Sequence, residues 1–171
     1  MRLFIAINFD RKMLDSLTEF QASLRKQEVT GNYTTEENLH LTLAFIGDYN
    51  DPDAVLEAME QSAFRPMEIR LDGVGSFGDL FWVGLAENKP LFAYVKRLRR
   101  ELAAAGIPFD GKRFSPHVTL IRRASARGGG AIPVAEAPAG SMLATRVSLM
   151  RSDRGKNGMI YTEIGSISAA D

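Results

Sequence analysis

The chain has 171 residues, of which 21 are Lys or Arg and 21 Asp or Glu, so its formal charge is zero; 45% hydrophobic and 25% charged residues suit one globular domain with a real core. That neutrality argues against wrapping long nucleic acid, which calls for a basic excess, and leaves room for recognising one end or a short piece. No cysteine is present, which removes disulfides, thiol nucleophiles and thiolate metal sites. The first residues are too soon interrupted for a signal peptide and no run approaches a membrane span, so a cytoplasmic protein without a membrane partner is expected.

In chain order, residues 2–9 read as a buried strand. Met13, Leu14, Leu17, Phe20 and Leu24 then take helical spacing over 10–27, with Asp10 placed to cap. Residues 31–38 are polar and turn-like. A strand follows at 39–46, closed by Gly47 and Asp48, and Asp51-Pro52 opens a helix to about 62. A strand at 66–75 is expected to break at the glycines of Gly73-Val74-Gly75-Ser76-Phe77-Gly78, before another at 80–85. A third helix spans 89–105 and stops at Gly106-Ile107-Pro108. A strand at 116–122, an Ala/Gly/Pro-rich loop at 124–140, strands at 143–151 and 158–167, and a frayed tail at 168–171 complete the reading. Alternating strands with short turns predict an α+β fold with antiparallel sheets rather than a parallel doubly wound one.

Both histidines of the chain occur in one frame: His40-Leu41-Thr42-Leu43 and His117-Val118-Thr119-Leu120. Residues i and i+2 of a strand share a face. His40 therefore stands beside Thr42, with Leu41, Leu43 and Phe45 expected on the core side. His117 stands beside Thr119, with Val118 and Leu120 opposed. A lone strand histidine is more commonly a hydrogen-bonded structural residue; a repeated frame that holds every histidine points to chemistry. Two imidazoles can take a proton from a nucleophile and give one to a leaving oxygen, while two hydroxyls donate to phosphate oxygens. Two histidines without a carboxylate cluster at ligand spacing make a poor metal site, so no metal is expected.

The two His-apolar-Thr-Leu frames resemble the 2H phosphoesterase superfamily. The stretches Met1–Ile7, Glu37–Gly47, Phe81–Leu85 and Phe114–Arg122 are similar to its RNA 2′,3′-cyclic phosphodiesterase branch, historically called 2′-5′ RNA ligase. The resemblance implies a bilobed α+β fold, residues 1–171 forming a single domain of two pseudo-symmetric lobes around a central groove, with one frame per lobe. It implies hydrolysis of a terminal 2′,3′-cyclic phosphate on RNA to a 2′-phosphate without a cofactor, and in some members 2′-5′ ligation. It casts His40 as proton donor, His117 as proton acceptor, and Thr42, Thr119 and Arg122 as phosphate-binding. The expected partners are RNA or oligonucleotide ends, and the expected state is a monomer. Ala44 stands where relatives often carry a long basic side chain. Regular alternation points Arg122 away from His117, so a bulge or the strand's end must redirect it.

The same pair of frames would also serve a phosphodiesterase acting on a small cyclic nucleotide, an ADP-ribose cyclic phosphate or a 2′-5′ oligonucleotide. A third reading is a non-catalytic RNA-end binder using the same groove. Lys96-Arg97-Leu98-Arg99-Arg100 reads as a solvated basic helix face, and Arg122, Arg123 and Arg127 as candidate anion contacts. Of Phe81 and Trp82, alternation sends one to the core. Tyr33 is a candidate rim aromatic.

Overall fold

Two antiparallel sheets each carry one of the His frames, and three helices cover them. The computed structural model describes residues 1–170. In chain order it contains β1 (Arg2–Asn8), α1 (Arg11–Lys26), β2 (Thr30–Tyr33), β3 (His40–Asp48), α2 (Pro52–Gln61), β4 (Met67–Phe77), β5 (Leu80–Leu85), α3 (Lys89–Ala104), β6 (His117–Ser125), β7 (Ser141–Ala144), β8 (Arg146–Gly155) and β9 (Gly158–Ser168). The first sheet has the order β3-β1-β8-β9 and the second β2-β6-β5-β4-β7, with every pairing antiparallel. This is the expected α+β class.

The sheets are not the two halves of the chain. β1 from the start and the β8–β9 hairpin from the end build the sheet of His40. β2, although it precedes His40, joins the sheet of His117. The crossings bring β3 and β6 together as neighbours between sheets. Ile5, Ile7 and Leu41 of the first sheet belong to one apolar core with Val83, Val118 and Ile121 of the second. Burying each frame's aliphatics is worth about 1.5–3 kcal/mol per side chain, which anchors both strands from behind.

The helices start where their caps stand. Asp10 accepts from the Met13 amide at 2.9 Å, Asp51 from Ala54 at 3.1 Å and Asn88 from Leu91 at 3.0 Å, each cap worth about 1 kcal/mol. Helix α1 packs on the second sheet through Phe20, whose ring lies 6.3 Å from that of Phe81, while α2 and α3 pack together and cover the first sheet. No described helix is long and apolar enough to cross a membrane.

Several expectations need correction. The polar stretch after α1 contains β2, an edge strand whose amides pair with β6. Gly31 is required there, because a Cβ on it would sit 2.5 Å from the Ile121 side chain at a φ of +144°. β4 runs through its glycines to Phe77 instead of breaking. The single strand expected at 143–151 is two: β7 pairs with β4, and after Thr145 the chain enters the other sheet as β8. The expected fraying at 168–171 is also wrong for the described residues. Ser168 lies in β9, and the Ala169 and Ala170 amides donate to Thr145 and Phe64 carbonyls at 2.7 and 2.9 Å; Asp171 lies outside the described residues.

The basic run on α3 is partly structural. Arg97 donates to the Ser62 and Ala63 carbonyls at 3.2 and 3.3 Å, closing the end of α2, and Arg99 donates to the Lys112 carbonyl at 2.8 Å.

Candidate active site

Each frame follows the expected parity through its Thr and then departs from it at the same place. On β3, Thr42 pairs with Ala6 and Ala44 with Ile5, so Leu43 is an extra residue. On β6, Thr119 pairs with Trp82 and Ile121 with Phe81, so Leu120 is the extra one. A bulge of this kind shifts every later side chain to the opposite face.

Three sequence expectations turn on these bulges. Arg122 returns to the face of His117 and Thr119, by the redirection its register required. Phe45, expected in the core, instead shares the face of His40 and Thr42 and is 52% exposed. Ala44 pairs with the wholly buried Ile5 and is itself buried, so its position faces the core and not the groove.

The two imidazoles are held by one local device. His40 Nδ1 is 2.6 Å from the Asn38 carbonyl, and His117 Nδ1 is 2.7 Å from that of Ser115. A carbonyl only accepts, so each Nδ1 carries a proton and each Nε2 is left for chemistry. In both cases the carbonyl lies two residues before the histidine. Thr42 Oγ1 is 2.8 Å from His40 Nε2, close to where an oxygen exchanging a proton with that nitrogen would stand.

Aromatic walls flank both rings. Phe4 lies 5.0 Å from His40, and Tyr161 meets the same imidazole edge-on at 5.3 Å and 89°. β9 is at the far edge of its sheet from β3. The outer part of the β8–β9 hairpin therefore curls back over the open face, where Phe4, Ala6 and Met150 form a small cluster with Tyr161 against it. Asn38 ties this arch down by donating from Nδ2 to the Met159 carbonyl at 2.8 Å. Beside His117, Phe77 packs edge-on at 5.1 Å and 86°, with Trp82 6.2 Å away. Phe81 takes the core side, as alternation requires of one of the pair.

Burial holds the His40 imidazolium below the usual histidine range. The charges of Arg122 and His117 act in the same direction, against the opposing pull of the Asn38 carbonyl. Arg122 and His117 are thus both within electrostatic reach of His40, across the junction of β3 and β6. The other cations are placed differently. Arg127 pairs with Glu28 at 2.6 Å, and Arg123 takes a left-handed φ of 55° just past Arg122. Tyr33 is not a rim aromatic: its hydroxyl donates to the Val29 carbonyl at 2.7 Å and Arg25 stacks on its ring.

Phe4, Phe45, Phe77 and Tyr161 are the neighbours that sequence reasoning missed. Only a strand-by-strand register could have found them.

Residues 13–156 match the profile of the 2′-5′ RNA ligase superfamily. The chain is 31% identical over 132 residues to an RNA 2′,3′-cyclic phosphodiesterase of Thermotoga maritima, covering 71% of this chain and 70% of the relative. A protein of the same description from Methanothermobacter thermautotrophicus is 27% identical over 181 residues, covering 96% of each chain. Among solved structures, Escherichia coli LigT complexed with 3′-AMP superposes with a TM-score of 0.82 at 26% identity, covering 99% of this chain and 98% of that one. By this match, and by the two His frames on two antiparallel sheets, the chain belongs to the 2′-5′ RNA ligase superfamily of 2H phosphoesterases.

Proposed function

We propose that the protein hydrolyses the 2′,3′-cyclic phosphate at the end of an RNA or oligonucleotide to a 2′-phosphate, without a metal. The observation that carries this reading is the matched pair of imidazoles, each with Nδ1 locked on a carbonyl two residues upstream, flanking the junction that Arg122 also faces. Water attacks phosphorus and passes its proton to His117 Nε2. The bond from phosphorus to the 3′-oxygen breaks in line, and His40 gives that oxygen its proton. The products are a 2′-phosphate and a free 3′-hydroxyl. Thr42 and Thr119 donate to the non-bridging oxygens, and Arg122 balances their charge. His40 is a reluctant imidazolium in the free protein; an anionic phosphate beside it favours the protonated form that its role requires.

The decisive experiment supplies an RNA ending in a 2′,3′-cyclic phosphate in the presence of EDTA. Rapid conversion to the 2′-phosphate is expected, with His40→Ala and His117→Ala each slowing it by about 10²–10⁴-fold. A cyclic end that survives, or a His40→Ala protein of undiminished rate, rejects the proposal.

A further inference from the structure

The arch over His40 has two faces, and its charge is sorted between them. In the β8–β9 hairpin Ser152 pairs with Tyr161, Arg154 with Met159 and Gly155 with Gly158. Directly paired residues share a face, and alternation keeps Ser152 and Arg154 together. Arg154 therefore stands on the face of Tyr161, the one turned toward His40. Arg151 and Asp153 fall on the reverse face, where they pair at 2.8 Å and cancel. Asp153 is the only acid between Met150 and Tyr161. Arg154 and Lys156 are exposed, and among the described residues neither forms an ion pair. The apex is a tight two-residue turn of Lys156 and Asn157. Gly158 there has a φ of +120°, and a Cβ at Gly155 would sit 2.7 Å from the Ile160 side chain. Arg154's cross-strand partner, Met159, is the residue whose carbonyl Asn38 holds, and the Asn38 carbonyl in turn holds His40. The result is two unpaired cations on a fastened hairpin beside one imidazole.

In-line displacement says what lies there. His40 protonates the departing 3′-oxygen, so the terminal ribose stands on its side of the phosphate. C3′ is bonded to C4′, which carries the 5′-carbon and, through it, the rest of the RNA. The first phosphodiesters upstream of the cyclic end therefore leave the groove on the side that the arch covers. A protein of zero formal charge has no general hold on a polyanion, but a local pair of cations suffices for one or two phosphates. We propose that the tip of the β8–β9 hairpin, through Arg154 and Lys156, is the surface that holds the RNA backbone upstream of its cyclic end. This rests on the hydrolytic reading above, with His40 as acid, and it chooses among the substrates of that site. Contacts to phosphate position a chain without reading its bases. The preferred substrate is thus an RNA end of any sequence, ahead of a cyclic mononucleotide.

The test compares a tetra-adenylate ending in a 2′,3′-cyclic phosphate with adenosine 2′,3′-cyclic phosphate over a range of salt. Both are opened by the same acid–base pair, so any disturbance of His40 cancels in the ratio of their kcat/KM values. The tetramer should be preferred, and less so as salt rises. Arg154→Gln together with Lys156→Gln should lower the ratio about three- to tenfold at low salt, the range for two exposed charge contacts. The logarithmic salt dependence of the ratio should flatten by about 0.7 for each phosphate released. Arg151→Gln also removes a cation from the hairpin, but from its reverse face, and should leave the ratio in place. A wild-type protein without preference for the tetramer, a ratio that the double variant retains, or an equal fall in Arg151→Gln overturns the proposal.

A second measurement needs no catalysis. A tetra-adenylate ending in a 2′-phosphate and labelled with a fluorophore at its 5′ end is titrated with protein and followed by anisotropy. The double variant should bind it more weakly than the wild-type protein and Arg151→Gln do. Equal binding by all three overturns the surface. Weaker binding by the double variant alone, in a protein that leaves cyclic ends intact, supports the surface and rejects the hydrolytic reading instead.

Discussion

The β3 and β6 frames share His, Thr and the final Leu, a carbonyl lock on Nδ1 and a bulge at that Leu, yet their surroundings differ. After the bulge, the chain returns Phe45 to the groove face in one and Arg122 in the other. His40 is walled by Phe4 and Tyr161 and held below the ordinary histidine range; His117 meets the half-exposed Phe77. The repeated residues position an imidazole and a hydroxyl. The unrepeated ones decide how readily His40 is charged and what can approach each imidazole. The proposed division of labour between the two imidazoles would then be set by their neighbours.

The largest expected effect separates the two roles directly. An activated aryl phosphodiester, whose leaving group departs as a stable anion, has little need of an acid. On such a substrate His40→Ala should recover most of the about 10²–10⁴-fold it loses on a cyclic RNA end, and His117→Ala should recover none. Recovery by His117→Ala instead would exchange the roles.

A smaller effect concerns the wall around His40. The groups that act on this imidazole are Arg122 and His117 from β6, the Asn38 carbonyl, the Phe4 ring and Tyr161 from β9. Tyr161→Ala admits water, relieves the leading cause of the depression and moves the His40 pKa up. With His40 as acid, activity falls on the high-pH side as His40 loses its proton, so that limb of the kcat/KM profile should move to higher pH. With His40 as base, the low-pH limb would move instead. Tyr161→Phe keeps the ring and should leave the profile in place. A profile unmoved by Tyr161→Ala, whatever its height, reduces Tyr161 to a packing residue.

Strand parity made the frames legible in advance: which face His40, Thr42, His117 and Thr119 share, and that one of Phe81 and Trp82 enters the core. It failed one residue past each Thr, because a leucine at a bulge looks like any other leucine. The shift is set by partner strands distant in sequence. The switch between sheets at Thr145 was hidden for a related reason, since β7 and the start of β8 both read as one continuous strand. β2 has four residues, exposed but for Tyr33, and no apolar period to reveal it. The last residues are held by backbone amides, which leave no mark on side-chain pattern, and by the small Ala169 against the core.

The β6 bulge has a support whose removal should give the smallest effect, and one seen in stability more than in rate. Gln21 of α1 is 3% exposed, and its Nε2 donates to the Leu120 carbonyl at 3.1 Å and the Thr34 carbonyl at 2.9 Å. Leu120 is the extra residue itself, and its carbonyl also accepts from the Thr34 amide at 2.9 Å. Gln21→Met keeps the apolar stem but leaves the Thr34 carbonyl without this donor and Leu120 with one fewer. The expected cost is about 1–3 kcal/mol, read as a lower urea midpoint at unchanged slope. Because the Thr34 amide still holds Leu120, Arg122 should keep its face and kcat/KM should fall only modestly. An unchanged midpoint would show that α1 does not support the bulge. A collapse of activity at full stability would show that Gln21 alone sets the register delivering Arg122 to the groove.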